Sequence, residues 1–266
     1  MEVESHSGSL VLRGELYLPD RQKAPGILVC HAMHAEGFRW LPLYRSFAEK
    51  ASERGFACLL FDFRGCGTSG GQFDYGGEQE DARAAFEFVL DRKEVDSSGA
   101  FVVGRSLGGT IALYALARDH RVKGFALWAT TPDHHRNVRN FILKRGGRLR
   151  YALFIALSYI DSLHDLGKAT RIDLFGLRLR LRDLRRKMMT LRGAQLLSKI
   201  EHAPVLLLIG DRDEYVTLQE TEEFGKGIGG KVRTIASTGH TFKGAETLAM
   251  GATLEWFEGL LEEQQV

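Results

Sequence analysis

One stretch of the chain joins a predicted buried strand to a predicted helix through a single sharp turn. Residues 100–103 (Ala-Phe-Val-Val) form the apolar run before the turn, residues 110–117 form the run after it, and Gly-Arg-Ser-Leu-Gly (104–108) lies between them. In so sharp a turn the positions two before and two after Ser106 must be small, and both are glycine. The pattern predicts a serine hydroxyl exposed at a sheet edge, over a helix N-terminus that favours negative charge. An ordinary strand-to-helix turn with a serine N-cap fits the same five residues, so the rest of the chain must separate the two readings.

Strands and helices alternate on both sides of this turn. Strand-like runs lie at 3–7, 10–18, 26–30, 56–61, 122–129, 205–209 and 232–235, and helix-like runs at 44–54, 78–92, 218–224 and 245–261. Such alternation predicts an α/β fold with a mostly parallel sheet flanked by helices on both faces. The first two strands are separated by Ser-Gly-Ser, which predicts an antiparallel hairpin at the edge of the sheet.

A long basic segment interrupts the alternation. Residues 133–200 hold sixteen Lys or Arg and five Asp or Glu, a net charge of +11, whereas the whole chain carries +2 and the remainder therefore −9. Within this segment, residues 174–182 alternate apolar and basic side chains like a strand, whereas residues 181–197 suit one face of a helix. We predict a core domain formed by residues 1–132 and 201–266, interrupted by a basic, mainly helical insertion over residues 133–200. A solvated charged face is the alternative explanation of the charge.

The composition is that of a globular protein: 266 residues, 44% hydrophobic and 26% charged. The three cysteines are odd in number, and Cys30 and Cys58 lie in apolar runs, so we expect buried reduced thiols. The first residues lack the pattern of a secretion signal, and no window reaches the roughly 18 apolar residues that a membrane span requires. We therefore expect a cytoplasmic protein without a transmembrane segment. No nucleic-acid-binding module is recognisable, so nucleic acid is not an expected partner.

Three motif-like stretches do not support a cofactor or a metal. Residues 65–70 match a dinucleotide-binding Gly-x-Gly-x-x-Gly, but no predicted helix opens directly after them. Residues 225–231 match most of a phosphate-binding loop, but Val232 follows where Ser or Thr would contact magnesium. His31 and His34 have no third ligand at a matching spacing. We predict neither a cofactor nor a metal.

Two acidic residues and a histidine follow later predicted strands. Asp211 and Asp213 come directly after the strand at 205–209, and His240 follows the next strand and precedes the last helix. The carboxyl ends of parallel strands share one edge of the sheet, so these side chains are expected near Ser106. A serine nucleophile needs a base, and the base needs an orienting acid. The order serine, acid, histidine is the one expected for α/β-hydrolases.

Four motifs together resemble the α/β-hydrolase superfamily of serine esterases. They are Gly-Arg-Ser-Leu-Gly-Gly (104–109), Gly-Asp-Arg-Asp-Glu-Tyr-Val (210–216), Gly-His-Thr-Phe (239–242) and Asp-Phe-Arg-Gly-Cys-Gly-Thr-Ser-Gly (62–70), which resembles the family's Asp-x-Arg-Gly-x-Gly-x-Ser loop. The subgroup that they resemble is the cinnamoyl (feruloyl) esterase and monoacylglycerol-lipase-like branch. The resemblance covers residues 10–130 and 204–260. Residues 133–200 lie where this family carries a variable cap over the active site, so the resemblance implies that the basic insertion is such a cap.

The resemblance implies a role for three side chains. Ser106 is the expected nucleophile and His240 the expected general base. Asp213 is the expected orienting acid, because the family places this acid three residues after a glycine and three before a valine; Asp211 is its competitor.

The resemblance also implies an oxyanion hole, a pair of backbone N–H groups for the developing negative charge. The backbone N–H of Leu107 supplies one donor and that of Met33 the other. The family's His-Gly-x is here His31-Ala32-Met33, so a positive φ at Ala32 would carry strain of about 1–3 kcal/mol.

The function expected from the sequence is a serine hydrolase that cleaves carboxylic esters through an acyl-enzyme, acting on a small-molecule ester or thioester. The basic segment would suit an anionic substrate. An acyl thioesterase using acyl-coenzyme A or acyl carrier protein is the nearest alternative. A non-catalytic binding protein on the same fold is a further one. The oligomeric state does not follow from the sequence.

Overall fold

The computed structural model describes residues 1–130 and 202–263, together with residues 133, 143, 147, 148, 152, 153, 171–174, 176–180 and 200. The strands are β1 (Glu2–Ser7), β2 (Leu10–Tyr17), β3 (Ala24–Cys30), β4 (Ala57–Phe61), β5 (Val95–Arg105), β6 (Val122–Trp128), β7 (Arg171–Leu174), β8 (Leu177–Arg180), β9 (Val205–Gly210) and β10 (Lys231–Ile235). The helices are α1 (Pro42–Glu53), α2 (Tyr75–Leu90), α3 (Leu107–Leu116), α4 (Leu218–Ile228) and α5 (Glu246–Glu263), with a 3-10 helix at Gly37–Trp40.

Eight of these strands form one sheet in the order β1-β2-β4-β3-β5-β6-β9-β10. The β1–β2 and β2–β4 pairs are antiparallel, and the remaining pairs are parallel. The α/β fold class and the antiparallel edge hairpin predicted from the sequence are therefore confirmed. The sheet puts the carboxyl ends of β3, β5, β6 and β9 at one edge, because parallel strands run in the same direction.

Helices cover both faces of the sheet, and the strands are apolar on both sides as such burial requires. Along β3, for example, Leu28 and Cys30 pack into the core on one face and Ile27 and Val29 into the core on the other. Helices α2 and α3 close the first core, and helices α1 and α5 close the second. This double cover holds the carboxyl edge of the parallel strands as a rigid platform for the loops that follow it.

The element boundaries differ from the predicted ones at a few ends. Helix α2 begins three residues before the predicted start, since the Asp74 side chain accepts a hydrogen bond from the Gly76 N–H (3.1 Å) and caps the helix. Strand β5 begins five residues before the predicted Ala100. Within the stretch predicted to alternate, 174–182, Leu174 ends β7 and Leu177–Arg180 form β8, and the two strands pair antiparallel; residues 175, 181 and 182 lie outside the described residues. The helical pattern over 181–197 lies outside the described residues, as does most of the predicted cap.

All three cysteine side chains are buried free thiols, as expected for Cys30 and Cys58 from their apolar neighbours. Burial raises the pKa of each thiol. They belong to the packing of the two cores.

Candidate active site

Ser106 occupies a strained turn between β5 and α3. Its backbone has φ 50° and ψ −121°, a left-handed conformation that costs a non-glycine residue on the order of 1–3 kcal/mol. The turn is held by the Ser106 N–H, which donates to the Trp128 carbonyl on β6 (2.9 Å). A Cβ at Gly104 would overlap the Gly109 backbone, and a Cβ at Gly108 would overlap the carbonyl oxygens of Cys30 and His31. The glycines predicted to be sterically required are therefore required by close backbone contacts.

His240 lies directly against this serine. The loop after β10 carries it, and its Nε2 is 3.1 Å from the Ser106 Oγ. Its Nδ1 is 2.8 Å from Oδ2 of Asp213. Because that carboxylate oxygen can only accept, Nδ1 carries the proton and Nε2 is free to accept the hydrogen of the serine hydroxyl. The imidazole side chain is only 15% exposed.

The Asp213 carboxylate is fully buried and is oriented by the backbone of its own loop. Its Oδ1 accepts hydrogen bonds from the N–H groups of Tyr215 (2.8 Å) and Val216 (3.0 Å), which leaves Oδ2 for the imidazole. The carboxylate is therefore held in one orientation.

Asp211, the competing acid, contacts backbone instead. Its Oδ1 accepts from the Thr238 N–H (3.2 Å), two residues before His240. Hydrogen bonds from the backbone of Ser237 and Thr238 lower the pKa of this carboxyl. Asp213, the acid that the resemblance favours, is the one that the structure brings to the imidazole, and Asp211 ties the end of β9 to the histidine loop.

The electrostatic surroundings favour a neutral imidazole. Burial lowers the pKa of His240 below its usual value, the Asp213 carboxylate opposes this, and the positive charge of Arg105 adds to it. A neutral imidazole is the form that can accept a proton from a hydroxyl.

The loop after β3 lies beside the start of α3. Ala32 is not in the left-handed region, so the alanine in place of glycine carries none of the strain that a positive φ would have caused. The Ala32 N–H donates to the Tyr44 hydroxyl (2.9 Å), which fixes the loop one residue before Met33. Leu107 is the first residue of α3, so its N–H has no acceptor within the helix. The carbonyl oxygens of Cys30 and His31 lie against Gly108, so the structure brings the loop that leads to Met33 against the first turn of α3, which begins at Leu107.

The two histidines of this loop have separate structural contacts. His31 is buried, with Nδ1 donating to the Ala32 carbonyl (2.6 Å) and Nε2 accepting from the Phe63 N–H (3.1 Å). Burial lowers the pKa of His31 and supports this neutral form. His34 stacks on Trp40, with ring centroids 4.5 Å apart.

The loop at 62–70 is built around a buried carboxylate. Asp62 accepts hydrogen bonds from the N–H groups of Phe38 (3.1 Å) and Thr68 (3.1 Å) and pairs with Arg39. A Cβ at Gly67 would overlap this carboxylate, so the glycine that mimics a nucleotide-binding motif makes room for Asp62. The loop fastens the 3-10 helix, and hence the segment after Met33, to the end of β4.

From the sequence alone, no role was assigned to Tyr215, Arg105 or Trp40. The Tyr215 ring is 4.9 Å from the His240 ring, and Arg105 is fully buried with its guanidinium 5.5 Å from the Trp40 ring centroid. The sequence did contain a signal for the burial of Arg105: it follows Phe101 and Val103 at two-residue spacing, so its side chain points to the same buried face of β5.

Part of the inserted segment packs near the loop after β3. Gly176 approaches Ala35 closely, and Leu177 is buried in the core that contains Met33.

No helix within the described ranges is both long enough and apolar enough to cross a membrane.

Comparison with known proteins agrees with this architecture. Residues 25–154 match the model of the alpha/beta hydrolase fold family. The quorum-quenching protein AidA of Acinetobacter baumannii is 32% identical over 127 residues, 46% of this chain and 41% of that protein. The chain thus spans less than half the length of the curated relatives it matches.

Two solved structures share the fold over nearly the whole chain. Est1E from Butyrivibrio proteoclasticus, solved with bound ferulic acid, superposes with a TM-score of 0.75 at 19% identity, covering 98% of this chain and 99% of its own. The Pyrococcus furiosus esterase Pf2001 gives a TM-score of 0.68 at 19% identity, covering 97% and 91%. With the strand order and the family model matched over residues 25–154, these likenesses show that the chain has the α/β-hydrolase fold.

Proposed function

We propose that the protein is a serine hydrolase that cleaves carboxylic esters through an acyl-enzyme intermediate. The observation that carries the proposal is the continuous hydrogen-bonded chain from the buried Asp213 carboxylate through His240 to the Ser106 hydroxyl. This is the arrangement in which a base can remove the serine proton as the oxygen attacks a carbonyl.

In the proposed reaction, Ser106 Oγ bonds to the substrate carbonyl carbon while its proton moves to Nε2 of His240. Asp213 stabilises the resulting imidazolium and keeps the ring oriented. The proton then passes to the leaving alcohol oxygen as the ester C–O bond breaks. A water molecule activated by His240 next releases the carboxylic acid and regenerates Ser106.

The N–H groups of Met33 and Leu107 are the proposed donors to the carbonyl oxygen as it becomes negative. Leu107 follows Ser106 at the N-terminal end of α3, and the loop that leads to Met33 lies against the first turn of this helix. This placement supports the role, because helix N-termini favour negative charge. Loss of one such donor typically costs about 2.7–4 kcal/mol of transition-state stabilisation.

The substrate class rests on the fold neighbours and the charge of the insertion. Est1E holds ferulic acid and Pf2001 is named an esterase, which supports a small-molecule ester of the kind expected from the feruloyl-esterase-like motifs. We propose that residues 133–200 form a cap over this site, and their +11 charge favours an anionic substrate. A cytoplasmic location and the absence of nucleic-acid partners stay predictions.

The same charge makes an acyl thioesterase the second candidate, because coenzyme A is polyanionic. If the cap binds anions, the KM for an acyl-coenzyme A should rise steeply with salt, whereas the KM for a neutral ester should not. An equal response of both substrates would assign the basic residues to a solvated face.

Hydrolysis of p-nitrophenyl esters from acetate to palmitate tests the main proposal. Wild type, Ser106→Ala and the control Ser98→Ala are compared; Ser98 lies near the other end of the same strand and is exposed. We expect turnover by wild type and Ser98→Ala and none above background by Ser106→Ala. Turnover that survives in Ser106→Ala contradicts the proposal, and a folded wild type inactive on esters and on thioesters favours a non-catalytic role.

A further inference from the structure

The residue between the first glycine and the serine of the turn carries a positive charge into the protein interior. Arg105 is 0% exposed, and an arginine side chain keeps its charge in proteins. Among the ion pairs between described residues, none includes Arg105. A buried charge without a counter-ion is costly, so a fold that retains one needs compensating contacts.

The contacts of this guanidinium all lead to loops of the candidate active site. Nη2 donates to the backbone carbonyl of His240 (2.7 Å), across 135 positions of the chain. Trp40 covers the guanidinium at 5.5 Å, and Trp40 in turn stacks on His34, the residue after Met33. Nε and Nη1 are buried without a hydrogen-bond partner in the described structure.

Arg105 therefore joins three segments: the serine turn, the histidine loop and the loop after β3. The positive charge of Arg105 also disfavours the protonated imidazole of His240, whereas the negative charge of Asp213 favours it. The titratable or charged groups near the imidazole are Asp213 and Tyr215 from the loop after β9 and Arg105 from β5, and the neutral Ser106 hydroxyl completes its polar contacts. Of these, Arg105 is the only cation among the described neighbours.

We propose that Arg105 is a positioning residue, which fixes the His240 backbone through its carbonyl and keeps the imidazole neutral through its charge. Only the expected effect of Arg105 on kcat rests on the proposed ester-hydrolase function. The carbonyl contact and the electrostatic effect are properties of the folded protein. The depressed pKa of His240, to which Arg105 contributes, agrees with this role.

The primary test is an NMR titration of the His240 imidazole, which does not need turnover. The His240 signals are assigned by their loss in His240→Gln. In Arg105→Gln the positive charge is gone and the imidazolium is easier to form, so we expect the His240 pKa to rise. An unchanged His240 pKa in a folded Arg105→Gln protein overturns the proposal.

Kinetics on an ester substrate supply a second readout. We expect kcat of Arg105→Gln to fall roughly tenfold to a hundredfold, with KM little changed and the acid limb of kcat/KM moved up with the imidazole pKa. Arg105→Lys keeps the charge but loses the planar fork, so its acid limb should stay in place while kcat falls several-fold. If Arg105→Gln does not fold, a wild-type kcat in Arg105→Lys overturns the proposal.

Arg64→Gln is the matched control, because Arg64 is also largely buried and pairs with the fully buried Asp81. It should lose thermal stability without any shift of the His240 titration. An equal shift in both variants would overturn the proposal, since it would reflect general loosening of the fold. Absence of turnover in wild type, together with a shifted titration in Arg105→Gln, would reject the ester-hydrolase function and leave this inference standing.

Discussion

Replacement of Asp213 by asparagine changes one atom and should almost abolish catalysis. The N–H groups of Tyr215 and Val216 both point at Oδ1, so an asparagine must place its carbonyl oxygen there to keep these bonds. Its NH2 group then occupies the position of Oδ2, 2.8 Å from Nδ1 of His240. Two N–H groups cannot face each other, so Nδ1 must lose its proton and become the acceptor. The neutral imidazole is forced into the Nε2–H tautomer, which cannot take the serine proton.

The expected size of the effect follows from this loss of the base. A wrong imidazole tautomer in a serine triad lowers kcat by about 10⁴, which is about 5 kcal/mol in activation free energy. The fold should tolerate the change, since both backbone hydrogen bonds to Oδ1 and the side-chain volume are retained. Asp211→Asn is the matched control: its Oδ1 still accepts from Thr238, and it has no contact with the imidazole.

The assay is kcat on the best p-nitrophenyl ester for wild type and both variants, with thermal unfolding recorded for each. We expect Asp213→Asn to be nearly inactive and to unfold within a few degrees of wild type, and Asp211→Asn to keep most of its kcat. The reasoning is refuted if Asp213→Asn retains activity, or if Asp211→Asn is the variant that loses it.

Three further predictions follow from single contacts. Gly108→Ala pushes the carbonyl oxygens of Cys30 and His31 away from α3, so kcat should fall by about 10²–10³ as one oxyanion donor is lost. The control Gly259→Ala has open space around its Cβ, so it should keep kcat and gain about 0.5–1 kcal/mol of unfolding free energy. Equal kcat values for the two variants would refute this prediction. Because the pKa of His240 is lowered from 6.5, the acid limb of kcat/KM should lie below pH 6.5, and a limb at or above 6.5 would contradict the assigned surroundings. Burial, helped by the nearby Asp81 carboxylate, raises the pKa of Glu78 well above 4.5. The folded state then binds more protons than the unfolded state, so the free energy of unfolding falls as the pH rises from about 4.5. Glu78→Gln should therefore raise Tm more at pH 8 than at pH 5, and equal changes at both pH values would contradict this.

The elements that the sequence predicted well are those whose signal is local. Strands such as β3 and β9 are short apolar runs bounded by Pro or Gly, and α4 opens with a capping box in which Thr217 and Glu220 hold each other's backbone N–H groups. The start of α2 was harder, because Gly76 and Gly77 read as a loop. Gly77 instead leaves room for a tertiary contact, since a Cβ there would overlap the observed position of the Arg64 guanidinium.

The candidate site was predictable in its residue types but not in its supporting contacts. Ser106 and His240 follow from motif and order, and the structure brings both together with Asp213. The family spacing favours Asp213 over Asp211, but the backbone N–H groups of Tyr215 and Val216 that orient the Asp213 carboxylate toward the histidine have no signature in the sequence. The contact between Arg105 and the His240 carbonyl joins distant parts of the chain, so no local pattern could reveal it.

The most direct test of the central claim is covalent labelling by a fluorophosphonate, followed by intact mass measurement and peptide mapping. A reactive serine forms an Oγ–P bond as the P–F bond breaks, and fluoride leaves while His240 takes the serine proton. We predict one adduct per chain, on the peptide that contains Ser106, with labelling lost in Ser106→Ala and retained in Ser98→Ala. No adduct on a folded wild-type protein, or an adduct that persists in Ser106→Ala, would contradict the account.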